Sequence, residues 1–161
     1  MRRMSWAAAA AAIVAVGIGG AGVMGADVQG DGLGHSKPCN EDTVRGDYGS
    51  QMQGTRPAPG VSGGPTESVI GVLLRTYDGE GNFSQVSNLK GSIAGANPNS
   101  QGFGTYEVNP DCTGIIRFQA PSGALVEERL VVVDNGREIR AAVMVPTAVV
   151  ITSVHQRIHQ R

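Results

Sequence analysis

The chain has 161 residues, 13 basic against 14 acidic side chains, a formal net charge of −1 and only 4% aromatic residues. That length describes one ordinary domain with room for a real core, and the lack of a basic excess argues against a nucleic-acid partner. Twenty-four glycines beside so few aromatics suit a chain of tight turns and modest side chains.

The chain opens with the basic Met1-Arg2-Arg3, followed by Ala7 to Ala26 without a charge, and then the first acid, Asp27. A basic start, an apolar stretch and a small-residue end make a secretory signal peptide over residues 1–26, with Sec export expected. The uncleaved alternative is a membrane anchor, since twenty uncharged residues can span a bilayer. Nine of the twenty are alanine and five are glycine, so the stretch is weakly hydrophobic and cleavage is the expectation. The membrane is then met only through the export signal, and the working protein is secreted or periplasmic. Losing Arg2 and Arg3 leaves 11 bases against 14 acids, a net charge of −3.

Residues 27–42 are polar and glycine-rich, a flexible lead-in to a single domain over 43–161. Cys39 and Cys112 are the two cysteines. An even count behind an export signal favours a disulfide over a metal or redox site. Such a link stabilises the fold by on the order of 4 kcal/mol in the chain-entropy model.

From Thr43 onward short β-like runs alternate with turn residues. The predicted strands are 43–53, 67–77, 82–90, 92–96, 103–109, 114–120, 124–134, 137–145 and 148–155, with 54–66 an irregular loop and Asn97-Pro98-Asn99-Ser100 a turn. No segment after the leader holds a helical period. The fold class is all-β, an antiparallel meander of about eight strands, closed or nearly closed into a barrel.

The best-determined piece is the hairpin at Asn135-Gly136, the strongest two-residue hairpin signal. Pairing Asp134 with Arg137 sets Val132 opposite Ile139, Leu130 opposite Ala141, Glu128 opposite Val143 and Val126 opposite Val145. A turn at Pro121-Ser122-Gly123 then brings Phe118 to Val126 and Ile116 to Glu128. Side chains alternate between faces, so Glu128 is the one carboxylate on an otherwise apolar inner face. Desolvation there raises its pKa, and groups so perturbed cluster at functional sites. Arg75, on the strand 67–77, is the expected counter-charge, because the same register turns Arg117 outward.

Gly46-Asp47-Tyr48 and Gly104-Thr105-Tyr106 each place a glycine two residues from a tyrosine on one strand face. The ring patches the gap the glycine leaves, or, as the minority reading, Tyr48 and Tyr106 point at a ligand. These phrases, with Asp78-Gly79-Glu80-Gly81-Asn82, Val108-Asn109-Pro110-Asp111-Cys112-Thr113-Gly114 and Asp134-Asn135-Gly136-x-Glu138-Ile139, resemble a group of small exported bacterial proteins. Those proteins share this order of phrases after a signal peptide. The resemblance covers roughly residues 39–161, and the run ending at Gly114 is its most specific part. It implies a small closed β-barrel, similar in broad shape to lipocalins and allene oxide cyclases, and it supplies no catalytic residues.

Other chemistries are thinly supported. His155 and His159 have ligand spacing only on a helix, and the segment reads as a strand that frays. Asp78, Glu80 and Asn82 suggest a calcium loop, but Phe83 stands where that loop needs glycine and Leu89 where it needs glutamate. There is no Gly-x-Ser-x-Gly elbow and no histidine expected in the folded interior to activate a serine. No metal and no cofactor are expected. The leading function is an exported, disulfide-stapled barrel that binds a small apolar molecule or serves as an envelope accessory protein, with Glu128, Arg75, Tyr106 and Tyr48 as ligand contacts. The runner-up is a cofactor-free isomerase or cyclase with Glu128 as acid or base. A third class is a solid-packed structural or interaction module.

Overall fold

The computed structural model describes residues 37–60 and 64–158. The leader, residues 27–36 of the lead-in and His159 lie outside the described residues. Eight strands follow one another: β1 (Gly46–Pro57), β2 (Thr66–Tyr77), β3 (Asn82–Gly91), β4 (Gly95–Val108), β5 (Thr113–Gln119), β6 (Leu125–Val133), β7 (Glu138–Val145) and β8 (Val150–Arg157). Each pairs antiparallel with the next, and β8 pairs back onto β1 from Tyr48↔Arg157 to Thr55↔Val150. The all-β meander is therefore a closed eight-stranded barrel, and closure removes the sheet edges.

The turns at 78–81, 109–112 and 134–137 gather at one end, here called the base, and the other four connections form the mouth. At the base the predicted strand start at Thr43 is corrected: Glu41–Val44 form a single 3-10 turn, and β1 begins at Gly46. The cause is a reciprocal cap. Asn40 Oδ1 accepts from the Thr43 backbone N–H at 3.1 Å, and Thr43 Oγ1 accepts from the Asn40 N–H at 3.0 Å. The turn drops Val44 into the barrel, fully buried. Cys39 and Cys112 form the expected disulfide, with Cα atoms 5.0 Å apart across a sequence separation of 73. It links the 3-10 turn to the β4–β5 turn.

The densest packing lies directly above. All three tyrosines of the chain meet there: the Tyr77 ring is edge-on to Tyr48 at 5.4 Å and to Tyr106 at 4.9 Å between centroids. Val44, Phe83, Val108, Ile116, Leu130, Val132 and Ile139 belong to the same buried cluster. Such edge-on pairs contribute about 1 kcal/mol each beyond their buried area.

The Asn135-Gly136 hairpin follows the sequence reading for three of its four inner pairs, Val132↔Ile139, Leu130↔Ala141 and Glu128↔Val143. The turn itself is corrected: Asp134, Asn135 and Gly136 all hold positive φ, 50°, 52° and 80°, so the connection is the four-residue Asp134–Arg137 and the ladder starts at Val133↔Glu138 instead of at an Asp134–Arg137 pair. The fourth pair is corrected. A bulge places Glu127, not Val126, opposite Val145, so Met144 is the extra residue and Val145 turns toward solvent. Phe118↔Val126 and Ile116↔Glu128 across β5 and β6 are as expected.

Two further expectations change. The expected strand 92–96 is corrected: residues 92–94 are the turn between β3 and β4, Gly95 and Ala96 open the same strand as the run 103–109, and Asn97–Ser100 is a bulge inside that strand, β4, rather than a turn. The pairing skips from Ser87↔Ser100 to Leu89↔Asn97, which leaves Pro98 and Asn99 opposite Asn88 alone. Asn88 Oδ1 accepts from the Asn99 N–H at 3.0 Å, and proline is tolerated because a bulge asks no ladder bond of it. The loop expected over 54–66 shrinks to 58–65, since β1 extends to Pro57 and β2 starts at Thr66. The ring over Gly104 belongs to Phe83 rather than Tyr106: a Cβ on Gly104 would lie 2.8 Å from the Phe83 ring and from the Phe118 Cβ, and 2.2 Å from the Arg117 carbonyl oxygen.

A candidate ligand site at the mouth

Inward-facing positions alternate along every strand, and on four strands one of them is polar at the same height. Arg75 of β2, Gln85 of β3, Glu128 of β6 and His155 of β8 form a layer across the barrel just above the tyrosines. Arg75 is the centre of the layer. Its Nη1 donates to Glu128 Oε2 at 3.1 Å and, more weakly, to Tyr77 Oη at 3.4 Å. Its Nε and Nη2 both donate to Gln85 Oε1, at 2.9 and 2.7 Å. The guanidinium lies over the Phe83 ring at 4.6 Å, a cation–π contact that suits a desolvated arginine.

The sequence reading of Glu128 is met in position. It is 7% exposed on the inner face, and Arg75, not Arg117, is its partner. Arg117 lies outside, paired with Glu107 and Glu127. Burial works against the charge on Arg75, and the neighbouring Glu128 and Tyr77 more than offset it, so the guanidinium stays protonated. Burial pushes the Tyr77 phenol up to about 12.

His155 corrects the expectation of an interior without histidine. Its segment does not fray: β8 continues through it, opposite Ser50 on β1 and Ile139 on β7. The ring is 1% exposed, with Nδ1 2.6 Å from Ser50 Oγ and Nε2 2.8 Å from Ser153 Oγ. Burial, and then the charge of Arg75, lower its pKa to about 3, so the ring is neutral at physiological pH. The inward parity of Ile151, Ser153 and His155 was readable in the sequence, but the polar tail behind them masked it. Gln85 and Glu67 were missed likewise, although Glu67 shares parity with Val69, Leu73 and Arg75. Glu67 is buried at the mouth, where it accepts from the Ala94 and Ile93 N–H groups at 2.9 and 3.0 Å and from Arg56 Nε at 2.9 Å. Those backbone bonds, joined by the arginine, hold its carboxyl below the usual range.

Tyr48 and Tyr106 lie below the polar layer. The Tyr48 hydroxyl donates to the Gly136 carbonyl and accepts from Arg157 Nη2 at 2.8 Å. The Tyr106 hydroxyl accepts from the Gly79 N–H at 2.9 Å and donates to the Glu41 carbonyl at 3.2 Å. Both fasten the base, and neither lines the space above.

That space is a cavity of about 150 Å³ open toward the mouth. Arg75, Gln85, Glu128 and His155 form its floor. Met52, Leu73, Leu89, Phe118, Val143 and Ile151 form its walls, and Arg56 and Gln119 reach its rim. An apolar chamber with a few convergent polar groups at its deep end is the usual form of a small-molecule site. Among the described residues no cluster of three or more His, Cys, Asp or Glu side chains is placed to hold a metal ion.

No protein-family model matches the chain, and no curated protein matches it. Among solved structures, a redesigned β-barrel is similar to 77% of this chain and 100% of that chain, at 16% identity and a TM-score of 0.44.

Proposed function

We propose that this barrel works outside the cytoplasm and holds one small, largely apolar molecule in the mouth cavity, over the floor made by Arg75 and Glu128. The observation that carries the proposal is the cavity itself. Its walls are mostly aliphatic and aromatic, with Ser87, Ser100 and Ser153 among them, its volume suits a molecule of benzene size, and its floor is closed by hydrogen bonds. The export half rests on the leader pattern of residues 1–26 and on the Cys39–Cys112 bond, which persists in oxidising compartments.

The same geometry favours binding over the two competing roles. A purely structural barrel of this size fills its interior with side chains. No observation favours a proton-transfer role in the same way: Glu128 serves Arg75 as an ion-pair partner, and His155 lies between the hydroxyls of Ser50 and Ser153. Non-denaturing mass spectrometry of protein purified from its native envelope should find a retained small molecule. Filling the chamber with Val143→Trp should remove it. Native material without an adduct, whose cavity-wall amides also ignore both added toluene and added p-cresol by NMR, would overturn the reading.

A further inference from the structure

The floor leaves two hydrogen-bonding groups without a protein partner, and they are of opposite kinds. Glu128 accepts through Oε2, and no described residue donates to its Oε1. Gln85 turns its carbonyl to two N–H groups of Arg75, which fixes the orientation of the amide, since the reverse would set donors against donors. Its NH₂ group must then face away from Arg75, and no described residue accepts from it. Neither Oε1 of Glu128 nor Nε2 of Gln85 is sealed from the cavity, because no buried side-chain nitrogen or oxygen among the described residues lacks a partner. An acceptor and a donor therefore flank a single guanidinium at the bottom of an apolar chamber.

Charge narrows the choice further. Arg75 and Glu128 neutralise each other at 3.1 Å, and His155 is neutral, so the floor carries no net charge. Four donations already engage Arg75, with no paired fork left for a carboxylate. A carboxylate ligand would meet the charge of Glu128, and an ammonium that of Arg75.

Resting on the binding reading above, we infer that the site selects a neutral ligand bearing a hydroxyl on a ring-sized apolar body, a phenol or alicyclic alcohol. A hydroxyl donates to Glu128 Oε1 and accepts from Gln85 Nε2 at once. An analogue lacking it leaves both groups unpaired in a dry floor, the arrangement in which binding sites discriminate most strongly.

The test compares three probes that share one tolyl body, p-cresol, toluene and p-toluate, by NMR titration of the intact mature protein. p-Cresol should bind at least about tenfold tighter than toluene, and p-toluate weakest of the three. In the double variant Arg75→Met, Glu128→Leu, the preference for p-cresol over toluene should shrink by at least about threefold, because the charged acceptor is gone and Gln85 alone remains beside the hydroxyl. Toluene binding as tightly as p-cresol, or p-toluate binding tightest, overturns this inference and leaves the apolar-binding reading intact. Failure of all three probes to bind overturns both. The comparison within the unsubstituted protein decides the matter even if the double variant does not fold.

Discussion

Arg75 and Glu128 illustrate why a buried ion pair is better judged by its removal than by its presence. The side chains are 2% and 9% exposed, so each depends on the other for compensation. Glu128→Gln deletes one charge and strands the guanidinium, with an expected loss on the order of 3 kcal/mol in urea unfolding. The double replacement Arg75→Met, Glu128→Leu removes both charges and should restore most of that loss. A single variant as stable as the parent protein would show that the cavity hydrates Arg75 freely. His155 adds a pH dependence of definite sign. The unfolded chain protonates this ring near pH 6.5, the folded chain only near 3. Its contribution is therefore complete above pH 6.5 and is lost progressively as the pH falls toward 3. Within that window the slope is about 1.4 kcal/mol per pH unit, and His155→Gln should flatten the pH profile of the unfolding free energy from urea melts by that amount.

At the scale of elements, legibility followed the range of the interactions that set each one. The β6–β7 hairpin was readable because Asn135-Gly136 specifies a turn on its own, and the turn specifies the register that places Glu128 inside. Beyond the turn itself the pairing failed only at Val145, where Met144 bulges out beside the mouth. Asn97–Ser100 has every local mark of a turn, yet the decisive contact comes from Asn88 on the neighbouring strand, which no local signal reveals. Of the candidate site, the Arg75–Glu128 pairing was legible from face alternation alone. Gln85 and His155 were not, since an uncharged amide and a histidine in a polar tail carry no compositional warning. The hairpin turn offers its own check. Gly136 holds φ of 80°, and a Cβ there would lie 2.1 Å from the Thr43 carbonyl oxygen. Gly136→Ala should therefore destabilise by at least about 2 kcal/mol, measured by urea unfolding, and should loosen the 3-10 turn that packs there.

The whole molecule is unequal along its axis. The base carries the disulfide, the capped 3-10 turn and the tyrosine cluster, each a constraint on the same few ångströms of barrel. The mouth carries the cavity and the longest connection, 58–65. Each strand thus begins in one regime and ends in the other, and a single β-ladder should not exchange its amide hydrogens uniformly. On β2, protection should fall from Tyr77 toward Thr66, and on β6 from Val133 toward Leu125, by two orders of magnitude or so if local opening spans a few kcal/mol. Uniform protection along both strands would contradict this. A barrel anchored in this way can breathe at its rim while its foot stays shut, which gives the proposed ligand a way in and out that does not require the protein to unfold.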